Sequence, residues 1–133
     1  MTMHEPDALA KTTRINLLFD FYEPLLTEKQ RTFLKYYFHD DYSLGEIAAE
    51  SGISRQAVYE HVKRAEQVLE GYEAKLMLLA KHEAMQRLAA KLERQVAELP
   101  LDHTYKQKLL KDIEQLTKTE STCVTEVTNH GGI

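Results

Sequence analysis

The stretch from Ser43 to Ala65 constrains the fold more than any other part of this chain. It reads SLGEIAAESGISRQAVYEHVKRA. Ala48, Gly52 and Val58 fall at the spacing that two short helices joined by a tight turn require. A small residue lets the helices approach closely, a glycine makes the turn, and an aliphatic residue anchors the second helix in the core. The sequence therefore predicts a helix-turn-helix.

Hydroxyl side chains stand at the predicted start of three helices. They are Thr27 with Gln30, Ser43 with Glu46, and Ser54. A hydroxyl residue followed three positions later by Glu or Gln is a capping box, which satisfies backbone N–H groups at a helix start. Apolar residues at helical spacing follow each cap. A further helix is predicted from Thr12 to Pro24, where the proline ends it.

Composition and periodicity together predict an all-α protein. Five glycines and three prolines are too few for a turn-rich β-sandwich. We expect a tri-helical helix-turn-helix domain with an N-terminal helix and a long C-terminal helical extension. The predicted regions are a flexible N-terminus over 1–11, the helix-turn-helix domain over 12–71, the helical extension over 72–117 and a disordered tail over 118–133.

An apolar stripe continues beyond the predicted motif, and no proline interrupts it before Pro100. Its residues repeat at spacings of three and four, as in a coiled coil. The phase slips across residues 81–84, and Gly71 is a second candidate break, so residues 54–99 form either one helix or two. The stripe packs back on the first helix or against a second copy, and we favour a homodimer because one chain offers few partners for so long a helix. The candidate dimer or packing residues are Tyr72, Leu76, Leu79, Met85, Leu88 and Leu92.

The second helix of the predicted motif separates an apolar face from a polar one. At about 100° per residue, Val58 and Val62 point inward and a polar set points outward. Arginine and lysine donate to guanine or phosphate, glutamine can pair with adenine, and tyrosine can donate to phosphate. The candidate nucleic-acid-binding residues are Ser54, Arg55, Gln56, Tyr59 and Lys63.

The distribution of charge argues against a strong stand-alone DNA binder. The formal net charge is −4, and residues 1–70 hold 8 Lys and Arg against 12 Asp and Glu. Over residues 54–70, three bases face three acids. Attraction to phosphate supplies most non-specific affinity for DNA, so a neutral helix is a weak reader. The sequence leaves two interpretations open: nucleic-acid contact through this face, or a stable scaffold without it.

No feature of the sequence indicates an enzyme. The six histidines do not pair at helical metal-ligand spacing, Cys123 is the single cysteine, and no glycine-rich loop could hold a phosphate. We therefore expect no catalytic residue, no metal and no cofactor. No apolar run approaches the roughly 18 residues of a membrane span. The N-terminus lacks the pattern of a secretory signal, which predicts a cytoplasmic protein.

Residues 26–70 resemble region 4 of bacterial sigma factors. The matching residues are Leu26, Thr27, Gln30, Arg31, Ser43, Glu46, Ile47, Ala48, Gly52, Ile53, Ser54, Arg55 and Val58. This resemblance implies a tri-helical fold and a helix of the kind that reads DNA. It departs just after Val58, where Tyr59, Glu60 and His61 stand in place of the further basic residues usual in sigma factors.

The chain as a whole resembles the YlxM family, small helix-turn-helix proteins of Gram-positive bacteria. The segments KTTRINLLFDFYEPLLTEKQ, SLGEIAAESGISRQAVYEHVKRAE and LEGYEAKL carry the resemblance. It implies a regulatory protein of the signal recognition particle pathway, with the particle's RNA or its GTPase as partner. A DNA-binding transcription regulator is the alternative, and a dimeric protein-interaction module is the third hypothesis.

Overall fold

The computed structural model describes the backbone of residues 5–129 and the side-chain surroundings of residues 7–118. Within that range the chain forms six α-helices and no β-strand, which confirms the predicted all-α fold. The helices are α1 Glu5–Tyr22, α2 Glu28–Leu34, α3 Leu44–Ser51, α4 Arg55–Leu76, α5 Leu78–Glu98 and α6 His103–Asn129. A 3₁₀ turn over Glu23–Leu25 follows α1, and a π-helical turn over Lys35–His39 follows α2.

The chain divides into an N-terminal unit, Met1–Leu79, and a C-terminal unit, Ala80–Ile133. We expected the boundary after residue 71. It lies later because α4 runs through Gly71 and because Leu79 is buried in the core of the N-terminal unit. The N-terminal unit therefore extends beyond residue 71, the predicted end of the helix-turn-helix domain.

The N-terminal unit is built around α4, which contacts α1, α2 and α3. Leu18, Leu34, Ile47 and Leu69 come from these four helices in turn, and each is at most 1 % exposed. Burying a leucine or isoleucine side chain stabilises a fold by about 1.5–3 kcal/mol. One continuous core therefore fixes the direction of α4.

Both predicted capping boxes are present. The Thr27 hydroxyl accepts from the Gln30 N–H at 3.2 Å, and the Gln30 side-chain oxygen accepts from the Thr27 N–H at 2.9 Å. Ser43 and Glu46 make the equivalent pair at 3.1 and 2.8 Å. These reciprocal bonds define where α2 and α3 begin.

The question of one helix or two is resolved by a break at Met77, which has a left-handed φ of 57°. The Tyr22 hydroxyl donates to Glu73 Oε1 at 2.7 Å and accepts from the Leu78 N–H at 3.1 Å. The same Glu73 oxygen accepts from the Leu79 N–H at 3.1 Å. Buried side chains thus satisfy the first N–H groups of α5. The break lies here and at neither position suggested by the sequence.

The C-terminal unit contains α6 and nearly all of α5, on either side of a turn at Pro100. The Lys106 ammonium donates to the Ala97 carbonyl at 2.9 Å across that turn. Among the described side chains of this unit, Ala89 and Ile113 are the buried apolar ones. Its core is therefore small.

The described helices extend into both chain-end segments that we expected to be flexible or disordered. The first helix begins at Glu5, so residues 5–11 are helical where we expected a flexible segment. An ion pair at 3.0 Å between Lys11 and Glu66 attaches this turn of α1 to α4. The last helix continues to Asn129, through most of the expected disordered tail, and a Glu114–Lys118 pair at 3.0 Å supports it at helical spacing. Residues 1–4 and 130–133 lie outside the described residues.

Candidate nucleic-acid interface

The turn between α3 and α4 has the geometry that the motif predicts. Gly52 has a φ of +72°, and its N–H donates to the Ala48 carbonyl at 2.9 Å. Ser54 caps α4, since its hydroxyl accepts from the Ala57 N–H at 3.0 Å. Val58 is fully buried one turn later. A left-handed glycine and a hydroxyl cap therefore set the angle at which α4 leaves α3.

The structure brings the predicted contact residues together on one exposed face of α4. Arg55, Gln56, Tyr59 and Lys63 are all exposed. The Lys63 ammonium lies 5.9 Å from the centre of the Tyr59 ring, within range of a cation–π attraction. Ser54 is also exposed, but its hydroxyl is engaged as the helix cap. This face could donate hydrogen bonds to phosphates or base edges.

Bases of α1 neutralise two of the acidic residues that make α4 neutral overall in the sequence. The Lys11 ammonium lies 3.0 Å from Glu66 Oε1, and this hydrogen bond raises the pKa of Lys11. Arg14 binds Glu70 through two bonds of 2.8 Å, which lower the pKa of that carboxyl. Two of the three acids of this part of α4 are therefore paired with bases from another helix.

The third acid, Glu60, is exposed on the same outward side of α4. Its Oε2 accepts a hydrogen bond from the Gln56 amide at 3.3 Å. The bases Arg55, Lys63 and Arg64 remain on the surface around it. The local balance of α4 is therefore more positive than its sequence count suggests.

The sequence did not identify Lys11 or its neighbour Ala8 as part of this surface. Both line a groove of about 260 Å³ together with Tyr59, Lys63 and Glu66. Our interpretation started the first helix at Thr12, so it left out the turn that borders α4. The helical spacing of Ala8, Lys11 and Thr12 is the signal that could have revealed it.

The predicted dimer or packing residues divide into three groups. Tyr72 and Leu79 belong to the N-terminal unit: Tyr72 packs against its core, and Leu79 is 2 % exposed within it. Leu76 and Leu88 are 45 % and 53 % exposed. Met85 and Leu92 are half-buried. Tyr72 and Leu79 thus pack within one chain, and the other four remain dimer candidates.

The described residues contain no group of three or more histidine, cysteine or acidic side chains that could hold a metal ion. None of the described helices combines the length and the apolar character that crossing a lipid bilayer requires.

Comparison with known proteins places this chain among helix-turn-helix proteins. A family described as "Putative helix-turn-helix protein, YlxM / p13 like" matches residues 9–113. UPF0122 proteins of Bacillus cereus (strain Q1), Bacillus anthracis (strain A0248) and Bacillus thuringiensis subsp. konkukian (strain 97-27) are each 58% identical to it over 90 residues. These alignments cover 68% of this chain and 82% of each relative. The chain therefore belongs to the UPF0122 family of YlxM- and p13-like helix-turn-helix proteins.

Proposed function

We propose that this protein is a regulator that contacts nucleic acid through the outer face of α4. The observation that carries the proposal is the pairing of Glu66 and Glu70 with bases of α1. It leaves Arg55 and Lys63 exposed with their positive charges, beside side chains that can donate to base edges.

The family resemblance supports the signal recognition particle pathway as the setting of this regulation. The particle's RNA and its GTPase are the partners to test first. Regulation of transcription through duplex DNA is the second candidate, favoured by Arg55 and Gln56 at the start of α4, where helix-turn-helix proteins contact bases. Each of these targets lies in the bacterial cytoplasm, where we expect the protein to act.

The test is a titration of the full chain against three targets: a mixed-sequence DNA duplex, the particle's RNA and the particle's GTPase. Each is measured at two salt concentrations. We expect binding to at least one nucleic acid that weakens as salt rises, because phosphate contacts release counterions. An Arg55→Ala, Lys63→Ala double variant should bind roughly tenfold more weakly and lose about two units of the salt slope.

The matched control removes the same charge elsewhere, with Lys75→Ala and Lys91→Ala at exposed positions near the end of α4 and on α5. Its affinity should stay close to that of the unmodified chain. If the Arg55, Lys63 variant binds as well as the unmodified chain, the proposed face is wrong. If only the GTPase binds, the protein regulates through protein contacts and the nucleic-acid proposal fails.

We also propose that the protein is a homodimer that associates through its C-terminal unit. Leu88 and Leu116 are 53 % and 54 % exposed, although Leu88 lies at helical spacing from the half-buried Met85 and Leu92, and Leu116 from the buried Ile113. Exposed leucines at the edge of a small core are a surface that a second copy can cover.

Sedimentation equilibrium of Leu88→Asp tests the dimer. We expect this change to weaken association at least tenfold, because a buried, unpaired carboxylate opposes an apolar contact. Leu9→Asp is the control, since Leu9 is an equally apolar residue of α1 that is 69 % exposed. Equal masses for the two variants, or a monomeric unmodified chain, would contradict the proposed dimer.

A further inference from the structure

A second groove of about 270 Å³ lies between α2 and α4, separate from the one that borders α1. Its walls include Lys29 and Gln30 from α2 and His61 and Arg64 from α4. The His61 ring stacks on the buried Phe33 ring, with centres 4.9 Å apart and planes 12° apart. The stack fixes one wall of the groove and joins the two helices.

The groove offers positive charge without a carboxylate. Lys29 and Arg64 enter from different helices, and no acidic residue lines it. Among the described residues, neither cation forms an ion pair. Burial, followed by the nearby charges of Lys29 and Arg64, lowers the pKa of His61, while Glu60 opposes this weakly. The imidazole is therefore neutral at pH 7, and the groove has a positive potential.

The capping box at the start of α2 places two further side chains with donor groups, Thr27 and Gln30, along the same groove. The Gln30 Oε1 accepts from the Thr27 N–H, so the oxygen of that amide is fixed on the backbone. The Thr27 hydroxyl oxygen accepts from the Gln30 N–H. Each of these side chains accepts one bond within the capping box, and the Gln30 Nε2 and the Thr27 hydroxyl hydrogen can still donate. The chemistry of the groove is that of an anion site.

The position of the groove on α4 indicates which anion it takes. Arg64 lies about 180° around the helix from Arg55, at 100° per residue, with Gln56 and Glu60 between them. Cations therefore lie on both sides of the exposed face of α4. A helix of about 10–12 Å diameter that lies in a nucleic-acid groove has backbone phosphates on both sides.

We propose that the groove between α2 and α4 binds a backbone phosphate of the nucleic acid that α4 contacts, with Lys29 and Arg64 as its cationic contacts. The phosphate lies on the flank of α4 opposite Arg55. Gln30 and Thr27 donate to its oxygens, and the neutral His61 forms the wall beside it. This inference rests on the proposed function of α4.

The test compares Lys29→Ala, Arg64→Ala with the unmodified full chain in titrations against the mixed-sequence DNA duplex and the particle's RNA. We expect roughly tenfold weaker binding to the same nucleic acid that the unmodified chain binds, with a similar loss for every sequence of that target. The salt slope should fall by about one to two units. Lys29→Arg with Arg64→Lys should retain most of the affinity, because both charges remain.

An independent readout is the ring signal of His61 in NMR spectra. Filling the groove with a phosphate should raise the pKa of His61, and duplex or RNA should therefore shift its signal at pH 6.5. Lys75→Ala with Lys91→Ala is the charge-matched control and should bind normally. If the Lys29→Ala, Arg64→Ala variant is unfolded at the assay temperature, the binding of Lys29→Ala alone is measured instead. Lys29 is an exposed side chain, so its replacement should not disturb the fold.

The outcomes separate this inference from the function on which it rests. If Arg55→Ala, Lys63→Ala loses binding while Lys29→Ala, Arg64→Ala does not, the face of α4 is correct and the groove is not a phosphate site. If the unmodified chain binds neither nucleic acid, both proposals fail. If an acidic peptide shifts the His61 signal and neither nucleic acid does, the groove binds protein.

Discussion

The two units of this chain share helical periodicity and differ in what their apolar residues contact. In the N-terminal unit, buried residues of α1 to α4 form one cluster that includes Leu18 and Leu69. In the C-terminal unit, Leu88 and Leu116 repeat at the same kind of spacing and are more than half exposed. Periodicity therefore predicts that a helix has an apolar face, but not whether that face is covered within the same chain.

The largest expected effect is on the free energy of unfolding, which a leucine-to-alanine substitution should lower far more in the N-terminal unit than in the C-terminal unit. Leu69→Ala should lower the free energy of unfolding by about 2–5 kcal/mol, because Leu69 is fully buried and leaves a cavity. Leu88→Ala should change it by no more than about 0.5 kcal/mol in the monomer. Urea unfolding of both variants at low protein concentration measures the contrast. Similar losses would mean that the C-terminal unit has a core as well packed as that of the first.

The next-largest effect is expected from the hydrogen bonds of Tyr22 at the C-terminal end of α4. Tyr22→Phe removes the hydroxyl that donates to Glu73 and accepts from the Leu78 N–H, which leaves a buried carboxylate less satisfied. We expect a loss of about 1–3 kcal/mol in unfolding free energy. Burial, together with the bond to Glu73, raises the pKa of Tyr22, so the hydroxyl keeps its proton at all ordinary pH values.

Tyr72→Phe is the control for that change. Its hydroxyl donates to the Leu25 carbonyl at 3.2 Å in a more exposed position, so its removal should cost no more than about 1 kcal/mol. Equal losses in the two variants would show that the Tyr22 network contributes nothing beyond an ordinary hydrogen bond.

The same comparison explains which features the sequence could predict. The caps at Thr27, Ser43 and Ser54 and the turn at Gly52 depend on residues within four positions of one another, and the structure has each of them. The break at Met77 was not predictable in this way. It depends on Tyr22, which lies more than fifty positions earlier in the chain and reaches Glu73 only after the helices have packed.

In the candidate interface, too, features within one helix were predictable from the sequence, and contacts between helices were not. Helical spacing was sufficient to predict that Arg55, Gln56, Tyr59 and Lys63 share an exposed face. Counting charges along α4 gave a misleading result, because Glu66 is neutralised by a base of α1. Pairing between helices cannot be read from the charge balance of one segment.

A smaller effect is expected from substitutions of Gly52 and Met77, which both have a left-handed backbone conformation. The first lies in a turn set by neighbouring residues, and the second in a turn set by contacts between helices. Gly52→Ala should destabilise the fold by about 1–2 kcal/mol, because a Cβ disfavours a φ of +72° even though it would meet no neighbour within 4 Å. Met77→Gly should stabilise it by up to about 1 kcal/mol, since Met77 is 49 % exposed and loses little packing. Thermal unfolding measures both. A destabilised Met77→Gly would show that the Met77 side chain contributes more than its exposure indicates.

The smallest expected effect concerns the ion pairs, which join two helices in one unit and lie within one helix in the other. Arg14 holds the pKa of Glu70 below its usual value by hydrogen bonding, although burial opposes this. The folded state therefore keeps Glu70 ionised more readily than the unfolded state does. Its contribution is present above the usual glutamate pKa of about 4.3 and is lost as the pH falls through the lower folded value.

Both side chains are about half exposed, so the pair should contribute no more than about 1 kcal/mol. Unfolding free energies measured from pH 7 to pH 3 should fall less steeply in Glu70→Gln than in the unmodified chain. Glu114→Gln removes the i,i+4 pair with Lys118 and should alter the curve by no more than about 0.5 kcal/mol. If both substitutions flatten the curve equally, the pair between α1 and α4 stabilises the fold no more than a local helix contact. The neutralisation of α4 by α1 would then reflect proximity of charges rather than a bond that holds α1 in place.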